Sequence, residues 1–242
     1  MPRHKRGQEN AVIRHLPGVR VRHHEAMNAP ISFASWEPIV DLSSDVVVGG
    51  ELLCAYPHPT HARAWRTWYA HVGAVAAQAG LTGLCSVNVD THQILDKSLV
   101  RALLGAFAEA PRDIEWHIEW TERGSHDQIE DAACVLTALR DRRADIGLVI
   151  DDVGAGQDGL RRIALTTPDL IKIDRHLLVR ARQYRETRSI IQHVASIGRD
   201  IGAQTICEGI ETEDDRVLAR DLGVHWGQGY LWPARPLWRV CA

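Results

Sequence analysis

The stretch LVIDDVGAG, residues 148–156, runs from a strand-like apolar sequence directly into two adjacent aspartates, Asp151 and Asp152. Neighbouring carboxylates disfavour each other's ionised state, so the pair costs free energy unless another group compensates for its charge. Asp and Gly are also the usual residues of turns, and an isolated DDxG is more often a chain reversal than a site. The role of the doublet therefore depends on the side chains that the fold brings near it.

Further polar residues lie late in other strand-like stretches. These candidates are Glu51, Asn88, Glu119, Lys172, Glu208 and Gln228. Mg²⁺ and Mn²⁺ select oxygen ligands, and two adjacent aspartates can bridge or serve two ions. Taken singly, each candidate has a plainer interpretation as a solvent-facing strand end, a turn former or a helix-terminal acid. The pattern predicts a divalent-metal site if these strand ends meet.

Strand-like and helical segments alternate along the chain from residue 33 onward. The strand-like runs span residues 36–42, 45–53, 84–89, 113–120, 146–151, 169–174, 203–209 and 225–231. Helical composition covers residues 61–79, 96–109, 126–142, 186–201 and 212–222. Eight strand-like runs separated by helices favour a TIM-type α/β barrel. An open doubly wound sheet is the alternative, because strand closure cannot be read from a sequence.

The segment DIEWHIEWT, residues 113–121, indicates which strand face is polar. One face would carry Ile114, Trp116, Ile118 and Trp120, and the other Glu115, His117, Glu119 and Thr121. Helices cover the outside of a parallel sheet, so in a barrel the polar faces turn inward. Active sites of such barrels lie at the C-terminal ends of the strands, which is where the polar candidates are.

Length and composition bound the class of protein. The chain has 242 residues, 45% of them hydrophobic, which suits one large domain with a sizeable core. With 28 basic against 31 acidic residues and a net charge of −3, no DNA or RNA polymer is expected as a partner. Five scattered cysteines without a CxxC predict reduced thiols and a cytoplasmic protein. No apolar run reaches the length of a transmembrane segment.

The N-terminal residues differ from the rest of the chain. Residues 1–30 contain the basic residues Arg3, Lys5, Arg6, Arg14, Arg20 and Arg22 against only Glu9 and Glu25. Little apolar periodicity is present there, which predicts a basic, loosely ordered arm. Such an arm is more often a solvated tail than a contact for a phosphate-bearing partner or a membrane. Residues 31–242 are then predicted to form a single barrel domain.

The candidate residues lie in stretches that resemble the EAL-domain family of cyclic di-GMP phosphodiesterases. In family order these are EPIVDL (37–42), GGELL (49–53), SVNVD (86–90), IEWTE (118–122), DDVGAG (151–156), KIDR (172–175), CEGIET (207–212) and QGYLWPARP (228–236). One such match is a weak signal, whereas eight in order form a strong one. The resemblance implies a TIM-like (β/α)₈ barrel whose first strand runs antiparallel to the others.

The resemblance also implies a two-metal site for Mg²⁺ or Mn²⁺. Its ligands would be Glu51, Asn88, Glu119 and Asp151 for one ion and Asp152 for a second. The implied catalytic residues are Lys172 at the attacking water, Glu208 beside metal and water, and Asp152. Gln228 would lie near the same centre, and Glu122 and Glu211 match further family acids. Of these two, Glu122 would anchor the loop that follows the double aspartate.

The implied function is hydrolysis of cyclic di-GMP to linear pGpG, in which two cations neutralise the phosphate and activate water. One departure stands out: in the family signature ExLxR, the arginine that contacts the nucleotide phosphate is replaced here by Ala55. An inactive EAL-like module that binds cyclic di-GMP or a regulatory protein is therefore the second hypothesis. A homodimer is a further partner to consider.

Overall fold

The computed structural model describes residues 34–54, 61–121, 123–124, 126–156 and 158–237. The predicted N-terminal arm, residues 1–30, lies outside this part of the chain, as do Ala55 and Glu122. Within the described ranges, every helix is too short or too polar to cross a membrane.

A closed β-barrel forms the centre of the described part of the chain. Its strands are β1 (Ala34–Asp41), β2 (Val47–Cys54), β3 (Gly83–Val89), β4 (Ile114–Trp120), β5 (Gly147–Val153), β6 (Leu170–Ile173), β7 (Gln204–Cys207) and β8 (Trp226–Gly227), with β9 (Arg235–Leu237) added to the edge of β1. Strands β2 to β8 pair in parallel in chain order. Strand β1 closes the ring and is antiparallel to both β2 and β8. The predicted barrel with an antiparallel first strand is confirmed, and the open-sheet alternative is wrong.

Helices connect the strands and pack on the outside of the barrel. They are α1 (Ala62–Tyr69), α2 (Val72–Gln78), α3 (Thr91–Leu95), α4 (Lys97–Glu109), α5 (Ile129–Arg142), α6 (Gly159–Thr166), α7 (Arg175–Ala181), α8 (Arg185–Ile201) and α9 (Glu213–Asp221), with a 3₁₀ turn at His126–Gln128. The predicted single helix over residues 61–79 is divided into α1 and α2. A Cβ on Gly73 would lie 2.3 Å from the carbonyl oxygen of Ala106 in α4, so glycine at this position allows α2 to pack closely against α4.

The ends of several helices are set by local sequence. Asp96 accepts hydrogen bonds from the backbone N–H groups of Ser98 and Leu99 and thereby begins α4. Thr212 forms a capping box with the third residue of α9. Helix α8 ends where Gly202 adopts the left-handed conformation with a φ of 81°, which glycine adopts without steric cost.

A small apolar layer fills the barrel interior near the N-terminal ends of the parallel strands. It consists of the buried residues Ile39, Leu84, Val149, Leu170 and Ile206. Two positions further along their strands, the last four are followed by Ser86, Asp151, Lys172 and Glu208. Because a strand repeats every two residues, these polar side chains form the next inward layer, toward the strand C-termini. The apolar layer thus forms the floor of the candidate site.

Candidate active site

The two adjacent aspartates lie in a bulge of β5. Pairing of β5 with β6 shifts in register between Ile150 and Val153, and Asp152 has a φ of 53°. In a regular strand neighbouring side chains point to opposite faces, whereas a bulge redirects one of them. Asp151 and Asp152 accordingly both line the same cavity. A left-handed conformation of a residue other than glycine is strained, and strain of this kind concentrates at functional sites.

Lys172 lies at the centre of the acidic cluster. Its Nζ is 2.6 Å from Glu119 Oε1, 2.6 Å from Glu208 Oε1, 2.9 Å from Glu51 Oε2 and 3.5 Å from Asp151 Oδ1. The lysine side chain is only 3% exposed. A buried ammonium requires negatively charged partners, and the acidic side chains around it provide them. Lys172 thus connects the ends of β2, β4, β5 and β6 with the residue that follows β7.

Glu51 receives hydrogen bonds from three sides. Asn88 Nδ2 donates to Oε1 at 2.5 Å, and Gln228 Nε2 donates to Oε2 at 2.9 Å, in addition to Lys172. Glu119 accepts a hydrogen bond from Ser86 Oγ at 2.6 Å, across the β3–β4 pair. The structure therefore brings together Glu51, Asn88, Glu119, Asp151, Lys172, Glu208 and Gln228, seven of the candidates named from sequence, in one network.

The charges of this network shift the pKa values of its members. Burial disfavours the charged form of Lys172, but the surrounding carboxylates outweigh that effect and hold its pKa well above the usual value. Burial raises the pKa of Glu208 to about 7, with Lys172 opposing and Asp151 and Glu51 reinforcing the rise. Burial and the charge of Glu51 also raise the pKa of Glu119 well above its usual value. Burial and the neighbouring carboxylates thus favour the protonated forms of Glu119 and Glu208 in the absence of a cation.

Glu37 is a member of the site that the sequence analysis did not identify. It lies opposite Glu51 in the antiparallel β1–β2 pair and accepts a hydrogen bond from Gln228 Nε2 at 3.3 Å. Burial and the charge of Glu51 raise the pKa of Glu37. The signal was present in the stretch EPIVDL, because an antiparallel first strand presents the early part of its sequence to the site.

The remaining candidates are distributed differently. Glu211 is exposed at the rim of the cavity, and its backbone N–H donates to Asp215 Oδ2 at 3.2 Å. Glu122 and the substituted position Ala55 lie outside the described residues. Asn88 also interacts through its backbone, since its carbonyl oxygen accepts a hydrogen bond from the hydroxyl of Tyr69 at 2.9 Å.

The cavity at the strand ends has a volume of about 360 Å³, which is in the range of small-molecule sites, roughly 300–1,000 Å³. Besides the acids it is lined by the guanidinium-bearing residues Arg123 and Arg175, and by the aromatic residues Trp65 and Tyr230. Both arginines are exposed. The cavity thus combines an acidic base with basic and aromatic groups along its walls.

The donor set of the cavity suits a hard divalent cation. Asp151, Asp152 and Glu208 can each offer an oxygen such that the three atoms lie within 4.8 Å of one another. Carboxylate oxygens at this separation can converge on a single ion or bridge two. A cation would also favour the ionised forms of the acidic side chains that share the one ammonium of Lys172.

Comparisons with known proteins agree with this architecture. The model of the EAL domain family matches residues 66–236. The chain is 27% identical over 228 residues to the cyclic di-GMP phosphodiesterase RocR of Pseudomonas aeruginosa, covering 84% of this chain and 57% of that protein. A Klebsiella pneumoniae BlrP1 complex with calcium and cyclic di-GMP is 25% identical, with a TM-score of 0.71, over 87% of this chain and 59% of that one.

The EAL domain of Mycobacterium smegmatis DcpA shares the fold, with a TM-score of 0.68 at 24% identity, over 86% of this chain and 92% of that one. The chain spans about half the length of the curated relatives it matches, 57% of RocR and 46% of an Escherichia coli relative. The family model nevertheless covers most of the chain, and the resemblance inferred from its motifs is confirmed. This chain belongs to the EAL domain family.

Proposed function

We propose that this chain is a metal-dependent phosphodiesterase that hydrolyses cyclic di-GMP to linear pGpG. The observation that carries the proposal is the convergence of Asp151, Asp152 and Glu208 beside Lys172 at the C-terminal mouth of the barrel. The similarity to RocR, which is named a cyclic di-GMP phosphodiesterase, supports the choice of substrate.

The proposed metal ligands are those that the family resemblance implies. Glu51, Asn88, Glu119 and Asp151 would hold one ion, and Asp152 a second. Mg²⁺ and Mn²⁺ are the proposed ions, since the similar BlrP1 binds cyclic di-GMP in complexes with calcium and with manganese. Divalent cations, when bound, neutralise the phosphate and lower the pKa of a coordinated water.

The residues of the chain would position and move the remaining groups. In the proposed reaction a water oxygen attacks phosphorus, the bond from phosphorus to the 3′ oxygen breaks, and that oxygen takes up a proton. Lys172 would help to orient the attacking water by fixing the side chains of Glu51, Glu119 and Glu208, which its ammonium contacts. Glu208 would accept the proton of the water, since its carboxylate lies beside Asp151, Asp152 and the Lys172 ammonium at the mouth of the barrel.

The walls of the cavity offer groups for the nucleotide. Arg123 and Arg175 would provide the positive charge that phosphate oxygens require, which the signature position Ala55 cannot supply. Trp65 and Tyr230 offer aromatic faces on which guanine bases can stack. Gln228 would position Glu51 and Glu37, to which it donates hydrogen bonds.

A second candidate function is a catalytically inactive module that binds cyclic di-GMP or a regulatory protein. Ala55 favours it, because loss of a charge-assisted phosphate contact costs about 1.5–3 kcal/mol, or roughly 10- to 150-fold in affinity. The acidic network argues for the enzyme, since Ala55 removes none of its members.

Turnover distinguishes the two functions. Purified protein with Mn²⁺ is incubated with cyclic di-GMP, and the products are separated by chromatography. The enzyme produces linear pGpG, and Glu51→Gln stops the reaction. Binding of cyclic di-GMP in calorimetry, with Ca²⁺ in place of Mn²⁺ and no turnover at saturating substrate, would instead establish the binding module. If the protein neither binds nor hydrolyses cyclic di-GMP, the assignment of this substrate is wrong.

A further inference from the structure

A buried arginine lies directly behind the acidic network. Arg162, in helix α6, is 2% exposed. Its Nη1 donates to the carbonyl oxygen of Trp120 at 2.6 Å, and its Nη2 donates to the carbonyl oxygen of Asp151 at 2.8 Å. The guanidinium carbon lies 5.6 Å from the centre of the Trp120 ring. One side chain therefore joins the C-terminal ends of β4 and β5.

These two carbonyl groups lie where the pairing of β4 with β5 ends. The paired residues of β4 and β5 end with Trp120 and Ile150, and β5 then enters its bulge. The guanidinium therefore connects the two strands where their ladder ends. Two parallel N–H groups in a rigid planar fork fix both distance and orientation, which a single donor does not.

One of the two bonded peptide groups joins two proposed metal ligands, and the other lies one residue beyond a third. The Asp151 carbonyl belongs to the peptide bond between Asp151 and Asp152, and the Trp120 carbonyl belongs to the peptide bond between Trp120 and Thr121, one residue beyond Glu119. Asp152 holds a left-handed φ of 53°, a conformation that persists only where its surroundings enforce it. A fixed Asp151 carbonyl restrains that peptide plane and with it the direction of both carboxylates.

The positive charge of Arg162 also favours the close approach of the acidic side chains in the site. A guanidinium stays charged when buried and requires hydrogen-bond acceptors, which two carbonyl oxygens provide. Its positive charge lies behind four acidic side chains that share the single ammonium of Lys172. A hydrogen bond from a charged guanidinium to a carbonyl oxygen is also stronger than one between two neutral groups.

We propose that Arg162 is a positioning residue for the metal site, which fixes the backbone at Asp151 and Asp152 and at the end of β4 beside Glu119. This inference rests on the proposed metal-dependent function. Arg162 would touch neither metal nor substrate and would act through the backbone near the ligand residues. Loss of partners that orient metal ligands typically weakens metal binding by about 10- to 100-fold.

The test compares Arg162→Met and Arg162→Lys with Arg161→Met. Arg161 is the preceding residue of the same helix, but it is 44% exposed and pairs with Glu130 at the surface. Mn²⁺ affinity is measured by the electron paramagnetic resonance of free Mn²⁺, and the melting temperature is measured separately in EDTA. We expect Arg162→Met to raise the Kd for Mn²⁺ about tenfold or more. The Kd of Arg162→Lys should lie between those of the wild type and Arg162→Met, and Arg161→Met should bind Mn²⁺ like the wild type.

A purely structural role makes a different prediction. Arg162→Met would then lower the melting temperature in EDTA while the folded protein kept the wild-type Kd, and that result would overturn the proposal. If Arg162→Met does not fold, Arg162→Lys decides, because lysine keeps the charge and replaces the planar fork with one ammonium. An unchanged Kd in Arg162→Lys would count against the proposal. Absence of saturable Mn²⁺ binding by the wild type would overturn the proposed function itself, and the role of Arg162 with it.

Discussion

Lys172 Nζ lies 2.9 Å from Glu51 Oε2, although the two residues are 121 positions apart in the chain. The pair crosses the barrel interior from β6 to β2, and the same ammonium contacts Glu119 and Glu208. The arrangement of these side chains therefore depends on closure of the barrel, which brings β2 and β6 to opposite sides of one cavity. Lysine and metal ions are two ways to supply the positive charge.

Removing the lysine should destabilise the metal-free protein. Lys172→Met leaves several buried carboxylates without their cation, and breaking a buried pair in this way costs about 3–5 kcal/mol. Urea unfolding in EDTA measures the change in the free energy of unfolding. Lys97→Met, at an exposed lysine, is the matched control and should change little. A loss below about 1 kcal/mol in Lys172→Met, the range of exposed pairs, would show that the buried ion pairs are not what stabilises the cluster.

Divalent cations should stabilise the folded protein. Mg²⁺ or Mn²⁺ at millimolar concentration binds the native acidic site and raises the melting temperature by mass action. Asp151→Asn removes a carboxylate of that site and should abolish most of the rise. Asp145→Asn, at an aspartate whose side chain is 65% exposed, should keep it. Equal shifts in both variants would indicate that the cations act elsewhere on the surface.

Asp215 should make the free energy of unfolding depend on pH in the acidic range. Burial raises the pKa of Asp215, but bonds from Arg182, Thr212 and the Glu211 N–H outweigh that effect and hold it below the usual value. The stabilisation is thus complete above the unfolded-state pKa of about 4 and is lost as the pH falls through the folded-state value.

Asp215→Asn should accordingly lower the free energy of unfolding by about 2 kcal/mol at pH 7, and the difference should shrink as the pH falls below about 4. Asp214→Asn changes the exposed neighbour in the same turn of α9 and provides the control. The free energy of unfolding of both variants is measured by chemical denaturation at several pH values from 7 to 3. A deficit in Asp215→Asn that stays constant over this range would mean that packing, rather than charge, explains it.

Ala55→Arg should strengthen nucleotide binding. The variant restores the arginine of the family signature, and a charge-assisted hydrogen bond to phosphate is worth about tenfold or more in affinity. Calorimetric titration with cyclic di-GMP in Ca²⁺ measures the change without hydrolysis. Equal or weaker binding by the variant would show that the nucleotide does not contact position 55 as the resemblance implies.

The strand ends and the polar residues they carry could be predicted from the sequence because both follow a period of two. Asp151, Lys172 and Glu208 each lie two positions beyond an apolar floor residue of the same strand. Glu37 escaped prediction for a physical reason: β1 runs in the opposite direction, so its site-facing residue comes early in the strand. A rule for the ends of parallel strands does not apply to it.

Arg162 shows a second limit of sequence reasoning. Arg161 and Arg162 are adjacent basic residues, and only the packing of α6 against the barrel buries one and exposes the other. Helices α6 and α7 have eight and seven residues, too short for a periodic signal to be distinguished from loop sequence. Their position on the barrel, rather than their intrinsic propensity, stabilises them.

The proposed reaction is hydrolysis of cyclic di-GMP by a water that attacks phosphorus. The most direct measurement is mass spectrometry of the products formed by the wild type with Mn²⁺ and cyclic di-GMP in ¹⁸O-labelled water. We predict linear pGpG with one ¹⁸O atom in its terminal phosphate, and no product from Glu51→Gln under the same conditions. Intact cyclic di-GMP after incubation with folded, Mn²⁺-loaded wild type, at substrate concentrations far above its Kd, would contradict the claim.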